Sequence, residues 1–224
     1  MTLARYVWEP VKTIQTFEAE FLSWRVPILV VVGTAILKFL IQFFLGREIN
    51  LALADSLHNV VSAAELDQIQ AIQRLSIISY GVTSFAVASA WMLSSLFLAG
   101  WILFAGSHLN LKHLLYFNAL ALVPIFVHSL LVLICLTGAH YSGYLSFQPS
   151  FAMSTSMEDI HRYVEFIEEH PATLLISRTG HLAEFGSAIF LVVNLVYSQR
   201  LKFPVAITGV GLCCIVFGLL EYLS

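Results

Sequence analysis

Five apolar stretches dominate this sequence and restrict what the chain can fold into. They cover residues 26–45, 77–105, 114–137, 183–198 and 205–220. A helix needs about 20 predominantly apolar residues to cross the hydrocarbon core of a bilayer. Because lipid offers the backbone no hydrogen-bond partners, segments that span it form helices or closed barrels, and stretches of this length fit helices. The sequence therefore predicts an all-α fold, a polytopic membrane helical bundle with about five transmembrane helices.

The composition agrees with a lipid-facing surface. Of 224 residues, 58% are hydrophobic and 11% are charged, and the mean hydropathy is +0.84. Soluble domains carry about 25% charged residues, which they need to cover a water-facing surface. The net charge of −3 is slight and the basic residues are dispersed, so nucleic acid is excluded as a partner and the lipid bilayer is expected as one.

Two polar segments, residues 47–76 and 138–182, are predicted to lie outside the membrane. In the first, apolar residues recur at helical spacing, which predicts an amphipathic helix. The second contains an acidic run, residues 157–170, that predicts a short helix ended by Pro171. The domain organisation expected from this pattern is a cytoplasmic amphipathic segment over residues 1–25, followed by a single five-span membrane domain over residues 26–224.

The distribution of lysine and arginine predicts the orientation. With the N-terminus in the cytoplasm, six basic residues lie inside and four outside, which agrees with the positive-inside rule; the inside set is Arg5, Lys12, Arg25, Lys112, Arg200 and Lys202. No cleavable signal is apparent. The chain is predicted to be an integral, multipass protein of the cytoplasmic (inner) membrane if it is bacterial.

Histidines inside apolar stretches are the first candidates for chemistry, because imidazole binds metals and titrates near neutral pH. His128 lies within the third stretch, and the predicted topology places it in the same half of the membrane as His140, His181 and Glu184. These four residues are weak candidates for a metal or proton-linked site. The competing interpretation, a histidine hydrogen-bonded to a neighbouring helix, is favoured several-fold.

Other polar and small residues within the spans are predicted to pack helices together or against a partner. Asn118 and Asn194 are expected to form interhelical hydrogen bonds, and Pro124 to kink the third span. Gly209, Gly211 and Gly218 are expected to allow close helix approach. The sequence contains no nucleophile elbow, P-loop or dinucleotide fingerprint, so we expect neither an enzyme nor a cofactor.

The order of elements resembles the Yip-domain family of small multipass membrane proteins. The resemblance is carried by an amphipathic opening with Pro10 and Phe17, by a central hairpin over residues 96–124, and by a closing pair of spans around Arg200-Leu201-Lys202. The chain differs in having Ser107-His108-Leu109 where the family has a glycine pair, and in its long acidic insertion. The resemblance implies a helical protein that assembles with other membrane proteins, since eukaryotic relatives are linked to small GTPases and vesicle traffic and some bacterial ones to exporters.

Two functions from different classes are consistent with the sequence. The first is a non-enzymatic accessory or scaffold subunit of a larger membrane assembly, such as an exporter or trafficking complex, with other integral membrane proteins as partners. The alternative is a small transporter, channel or lipid-handling protein that uses polar residues within the spans, His128 among them.

Overall fold

Helices account for nearly all of the described backbone, as expected for a chain whose apolar segments must satisfy their own hydrogen bonds. The computed structural model describes residues 24–57, 63–142, 145–148 and 157–223; within these, side chains are described except at 54–57, 63–80, 83–84, 157, 160 and 217–223. This part of the chain contains helices and no strand, which confirms the all-α class. The predicted amphipathic segment at residues 1–25 lies almost entirely outside the described residues.

Seven helices follow one another in the described residues. They are α1 (Arg25–Leu57), α2 (Ala63–Phe104), α3 (Leu111–Ala121), α4 (Val123–Tyr141), α5 (Met157–Glu168), α6 (Pro171–Ser198) and α7 (Phe203–Leu223).

Four helical stretches are long and apolar enough to cross a membrane. They are Arg25–Leu53, Phe85–Phe104, Leu111–Tyr141 and Pro171–Ser198. A shorter apolar stretch, Phe203–Val216, belongs to α7. The chain therefore has the helices of an integral membrane protein, and the count of five spans stays a prediction.

The first helix does not end where the sequence predicted. We expected an exit at Gly46-Arg47, but α1 continues to Leu57. A glycine inside a helix costs only about 1 kcal/mol, and no proline follows to stop the helix. The amphipathic helix predicted within residues 47–76 is not confirmed: the two ends of this segment belong to α1 and α2, and residues 58–62 lie outside the described part.

The third span is interrupted near Pro124, as the sequence predicted. The helix stops at Ala121 and resumes at Val123. At the break, the Leu122 N–H bonds the Ala119 carbonyl at 3.2 Å, a tighter turn than the α-helical pattern. Proline carries no N–H to continue the hydrogen-bond ladder, so a local interruption is its ordinary consequence.

The acidic helix and its proline are also present. Helix α5 carries Glu158 and Asp159 in its first turn. Carboxylates stabilise a helix at this end, because the helix dipole is positive there. Pro171 then starts α6, because the first position of a helix needs no N–H donor. Helix α6 thus begins well before residue 183, where the sequence placed the start of the fourth span, and α4 reaches Tyr141. The extramembrane position of residues 138–182 stays a prediction.

The described residues form two compact units, here called the first unit (24–35, 85–127 and 182–223) and the second unit (within 36–84 and 128–181). The prediction of a single membrane domain over residues 26–224 stays a prediction. In the first unit, one core joins α2, α3, α6 and α7 around Leu98, Ile102, Leu195 and Val210. Another joins α1 and α3 around Val30, Tyr116, Phe117 and Leu120.

The second unit has a core of its own. It is built around Ile41, Val132, Leu136 and Phe147, with Ile167 and Ile176 packed against it. Tyr163 of α5 is buried beside this core, against Ile49 and Leu53, so an aromatic side chain of the acidic helix contributes to the packing of the second unit.

Candidate functional site

Buried amides hold the helices of the first unit together. Asn118 on α3 is 4% exposed. Its Nδ2 donates to Ser94 Oγ at 3.1 Å, to Ser95 Oγ and to the Trp91 carbonyl at 3.3 Å, all on α2. Asn194 on α6 donates to the Phe117 carbonyl at 2.8 Å. Both residues thus form interhelical hydrogen bonds of the kind predicted from the sequence.

Two tryptophans that the sequence analysis did not single out form further helix-to-backbone bonds. Trp91 Nε1 donates to the Leu115 carbonyl at 3.3 Å, and Trp101 Nε1 donates to the Val205 carbonyl at 3.0 Å. An indole N–H within an apolar span needs an acceptor. This requirement predicts a hydrogen bond for each indole, but it does not identify the carbonyl that accepts it.

The glycines of α7 fall into different environments. A Cβ added at Gly209 would collide with the Trp101 indole, so this glycine permits close contact between α7 and α2. A Cβ at Gly211 would meet nothing within 4 Å, and the residue is exposed. Gly218 lies in α7, but its surroundings fall outside the described side chains. Gly209 therefore packs the chain internally, whereas Gly211 leaves room for another molecule.

The histidines of the second unit have partners within the chain. His128 Nε2 lies 2.8 Å from Thr179 Oγ1, and that hydroxyl donates to the Leu175 carbonyl at 2.6 Å. Because the threonine has one proton to give, the histidine Nε2 carries the hydrogen of the shared bond. His140 Nδ1 lies 3.4 Å from Glu48 Oε2.

These hydrogen bonds limit which histidine nitrogens can bind a metal ion. An Nε2 that carries a hydrogen has no lone pair to offer a metal. Across the residues described by the structure, no group of three or more His, Cys, Asp or Glu side chains is placed to hold a metal ion. The hypothesis that His128, His140, His181 and Glu184 form a ligand set is therefore not supported.

Glu184 remains as an ionisable residue on the outside of α6. It is exposed, and its neighbour Phe185 is 67% exposed. Glu184 lies near the middle of the candidate span Pro171–Ser198, ~21 Å along the helix from Ser198 at 1.5 Å per residue. It also lies within electrostatic range of Cys214 on α7, a free and exposed cysteine. We call Glu184, Phe185, Gly211 and Cys214 the α6–α7 surface.

Comparison with known proteins does not assign the chain to a family. No family model, curated protein or solved structure matches it. The resemblance to the Yip-domain family therefore stays a prediction from the sequence pattern.

Proposed function

We propose that this protein is a non-enzymatic accessory or scaffold subunit of a larger membrane assembly, such as an exporter or trafficking complex. Its partners are other integral membrane proteins, which it meets through the α6–α7 surface. The Yip-like order of elements supports the same proposal.

The observation that carries the proposal is the exposed Glu184 within a candidate span. Charged residues at the centre of a membrane helix cost about 2.5–3.5 kcal/mol on insertion scales, and such residues usually face a partner or a water-filled cavity. Glu184 has an interaction within the chain, and its side chain is also exposed, so a neighbouring protein can add a hydrogen-bond donor or a cation to the carboxylate. Glu184 therefore favours a protein neighbour over lipid at this surface.

The open space at Gly211 also favours a neighbouring helix. Exposed small residues let two membrane helices approach closely, and close packing is a main source of their association. Gly211 provides such a position, because a methyl group added there would meet no other atom within 4 Å. The low internal burial of the four candidate spans, 17% to 39% of their most apolar windows, leaves much of each helix for lipid and for partners.

The proposal includes the arrangement predicted from the sequence. We place the N-terminus in the cytoplasm and assign α7 as the fifth span. The 21 residues of α7 extend ~31 Å at 1.5 Å per residue, enough to cross the hydrocarbon core. The basic links at Lys112 and at Arg200 and Lys202 then face the cytoplasm.

The test is recovery of a stoichiometric membrane partner from native membranes in mild detergent. We expect the unaltered chain to retain such a partner. Gly211→Leu and Glu184→Ala are expected to reduce its recovery at least severalfold, because leucine fills the open space and alanine removes the carboxylate. Glu168→Ala is the matched control, since Glu168 is an exposed carboxylate on α5, outside the candidate spans.

Cys214 supplies an independent readout without any substitution on the surface. A thiol-reactive cross-linker applied to native membranes should join the partner to Cys214 but not to Cys135, the exposed cysteine of the second unit. Purification of the chain alone, or equal partner recovery from Glu184→Ala, Gly211→Leu and the control, would reject the proposal.

A further inference from the structure

The first unit contains an open pocket that the proposed function does not use. Its volume is about 540 Å³, a size typical of sites for small molecules. Its walls are residues 107–111, His113 and residues 198–200, which belong to the link between α2 and α3, the start of α3, the end of α6 and the link that follows it. The pocket therefore lies at one end of the helices, where the chain leaves the predicted hydrocarbon region.

The two links are held together by a buried side chain, so the pocket has a defined shape. Gln199 is 4% exposed. Its Oε1 accepts from the Asn110 N–H at 2.9 Å, and its Nε2 donates to the Asn110 carbonyl at 3.2 Å. The Asn110 side chain in turn caps α3 by accepting from the His113 N–H at 3.1 Å. One glutamine thus fixes both walls through the same backbone residue.

The chemistry of the walls favours an anion. His108, His113 and Arg200 line the pocket, and Lys112 and Lys202 adjoin it in sequence. The sequence has no acidic residue from 68 to 157 or from 185 to 220, so no carboxylate from either link offsets the positive charges of Arg200, Lys112 and Lys202. The imidazoles of His108 and His113 add N–H donors to the walls. The N–H groups of Leu111 and Lys112 stand in the first turn of α3 and have no acceptor within the helix, an arrangement that binds phosphate well.

Exposed apolar residues adjoin the pocket walls in sequence and favour a lipid as the source of the anion. Leu103 and Phe104 at the end of α2 are 60% and 82% exposed, and Phe203 at the start of α7 is 60% exposed. A soluble phosphate compound has no acyl chains to pack against these side chains. The acyl chains of a lipid whose headgroup occupied the pocket would lie against such residues.

We propose that this pocket binds the phosphate of an anionic membrane lipid, with the Arg200 guanidinium as its main charged partner and the first turn of α3 as its backbone partner. Arginine suits this role because its planar guanidinium can form two parallel hydrogen bonds with phosphate oxygens. The site is separate from the α6–α7 surface, so lipid binding and partner recovery report on different residues.

The backbone conformation of Arg200 allows its side chain to be replaced without disturbing the turn. Its φ of 55° lies in the left-handed region, which glycine and asparagine adopt most readily. Arg200→Asn and Arg200→Gly therefore remove the charge while keeping the turn, and Arg200→Lys keeps the charge but not the planar group. Arg47→Gln is the matched control, because Arg47 is an exposed arginine of the second unit.

The probe is dihexanoyl phosphatidic acid, used below its micelle concentration on the full chain purified in detergent. The readout is the rise in thermal unfolding midpoint with lipid concentration, since a ligand that binds the folded state stabilises it. We expect a saturable rise, with affinity about tenfold weaker in Arg200→Asn and Arg200→Gly. Arg47→Gln should match the unaltered chain, and Arg200→Lys should fall between.

Two results would overturn the proposal. Equal affinity of the unaltered chain, Arg200→Asn and Arg200→Gly would remove Arg200 from the site. Inorganic phosphate that saturates the same rise at the same concentration, while the lipid adds nothing, would reject a lipid as the source and assign the pocket to a soluble phosphate.

Discussion

The Nδ2 of Asn194 lies 2.8 Å from the carbonyl oxygen of Phe117, so a buried amide of α6 is bonded to the backbone of α3. Phe117 lies one turn before the interruption at Leu122. On the other side of α3, Asn118 bonds α2 through Ser94 and Ser95. Consecutive residues of α3 thus connect it to two different helices, which makes α3 the central element of the first unit.

Replacing Asn194 with leucine should weaken the first unit modestly. The substitution removes the bond to Phe117 but introduces no new polar atom, so we expect a loss of about 1 kcal/mol, the scale of interhelical hydrogen bonds in membranes. Asn194→Asp should cost more, because a carboxylate cannot donate to a carbonyl and is expensive to bury. Unfolding free energies in mixed micelles with increasing denaturing detergent measure both. Unchanged stability in both variants would contradict this role.

Glycine-to-alanine substitutions two residues apart on α7 should have different effects. At Gly209 the added methyl would collide with Trp101, and the indole cannot move freely because its Nε1 bonds the Val205 carbonyl at 3.0 Å. Overpacking of this kind costs about 1–3 kcal/mol. Gly211→Ala meets open space and should change stability by less than about 0.5 kcal/mol. The same detergent titration tests the pair, and equal losses would count against the assigned packing.

Tyr163 should make the stability of the second unit depend on pH in the alkaline range. Burial raises the pKa of Tyr163 from its ordinary value of 10.0 to about 12, and its hydroxyl donates to the Ile49 carbonyl at 3.1 Å. The folded state therefore holds the proton more tightly than the unfolded state. The stabilisation is complete below pH 10 and is lost as the pH rises from 10 to 12, by about 3 kcal/mol in total.

Tyr163→Phe is the control for this pH dependence. Phenylalanine keeps the buried ring but cannot titrate, so the stability difference between the two chains should shrink steadily above pH 10. Comparing them at each pH cancels the contributions of the other tyrosines and lysines. A difference that stays constant up to pH 12 would show that Tyr163 is not protected from ionisation.

Much of the fold follows from the sequence because lipid imposes simple requirements. Apolar length predicted helices, and the polar link at residues 106–113 and the one at residues 199–204 predicted turns that the structure contains between α2 and α3 and between α6 and α7. Pro124 marked an interruption because it lacks the N–H that the helix needs there, and Pro171 marked a boundary because the first position of a helix needs no N–H. Hydropathy located helix ends less well, since α1 and α6 extend beyond their apolar stretches.

The contacts of the candidate site could not be predicted in the same way. Gly209 and Gly211 belong to the same apolar stretch, and only the position of Trp101 separates an internal contact from an open surface. Likewise, His128 was a metal candidate by residue type, but Thr179, which is distant in sequence, decides its hydrogen bond. Such pairings depend on which helices become neighbours, and a single sequence does not carry that information.

Gln199 should be the most sensitive polar residue of the links. It is the partner of both the N–H and the carbonyl of Asn110. Gln199→Leu removes both bonds and leaves two backbone groups to find water in a largely buried place, so we expect a loss of about 2 kcal/mol. Gln199→Glu keeps an acceptor for the Asn110 N–H but places a carboxylate oxygen against the Asn110 carbonyl, where it cannot donate.

The glutamate variant therefore separates the two bonds. At neutral pH it should lose about as much stability as leucine or more, because two acceptors then face each other. As the pH falls to 4, its carboxyl becomes protonated, because burial against a carbonyl oxygen disfavours the charged form. It can then donate again, so its deficit relative to the unaltered chain should shrink while the deficit of Gln199→Leu stays constant. Unfolding titrations at pH 7 and pH 4 measure this, and parallel behaviour of the two variants would mean that the bond to the Asn110 carbonyl contributes little.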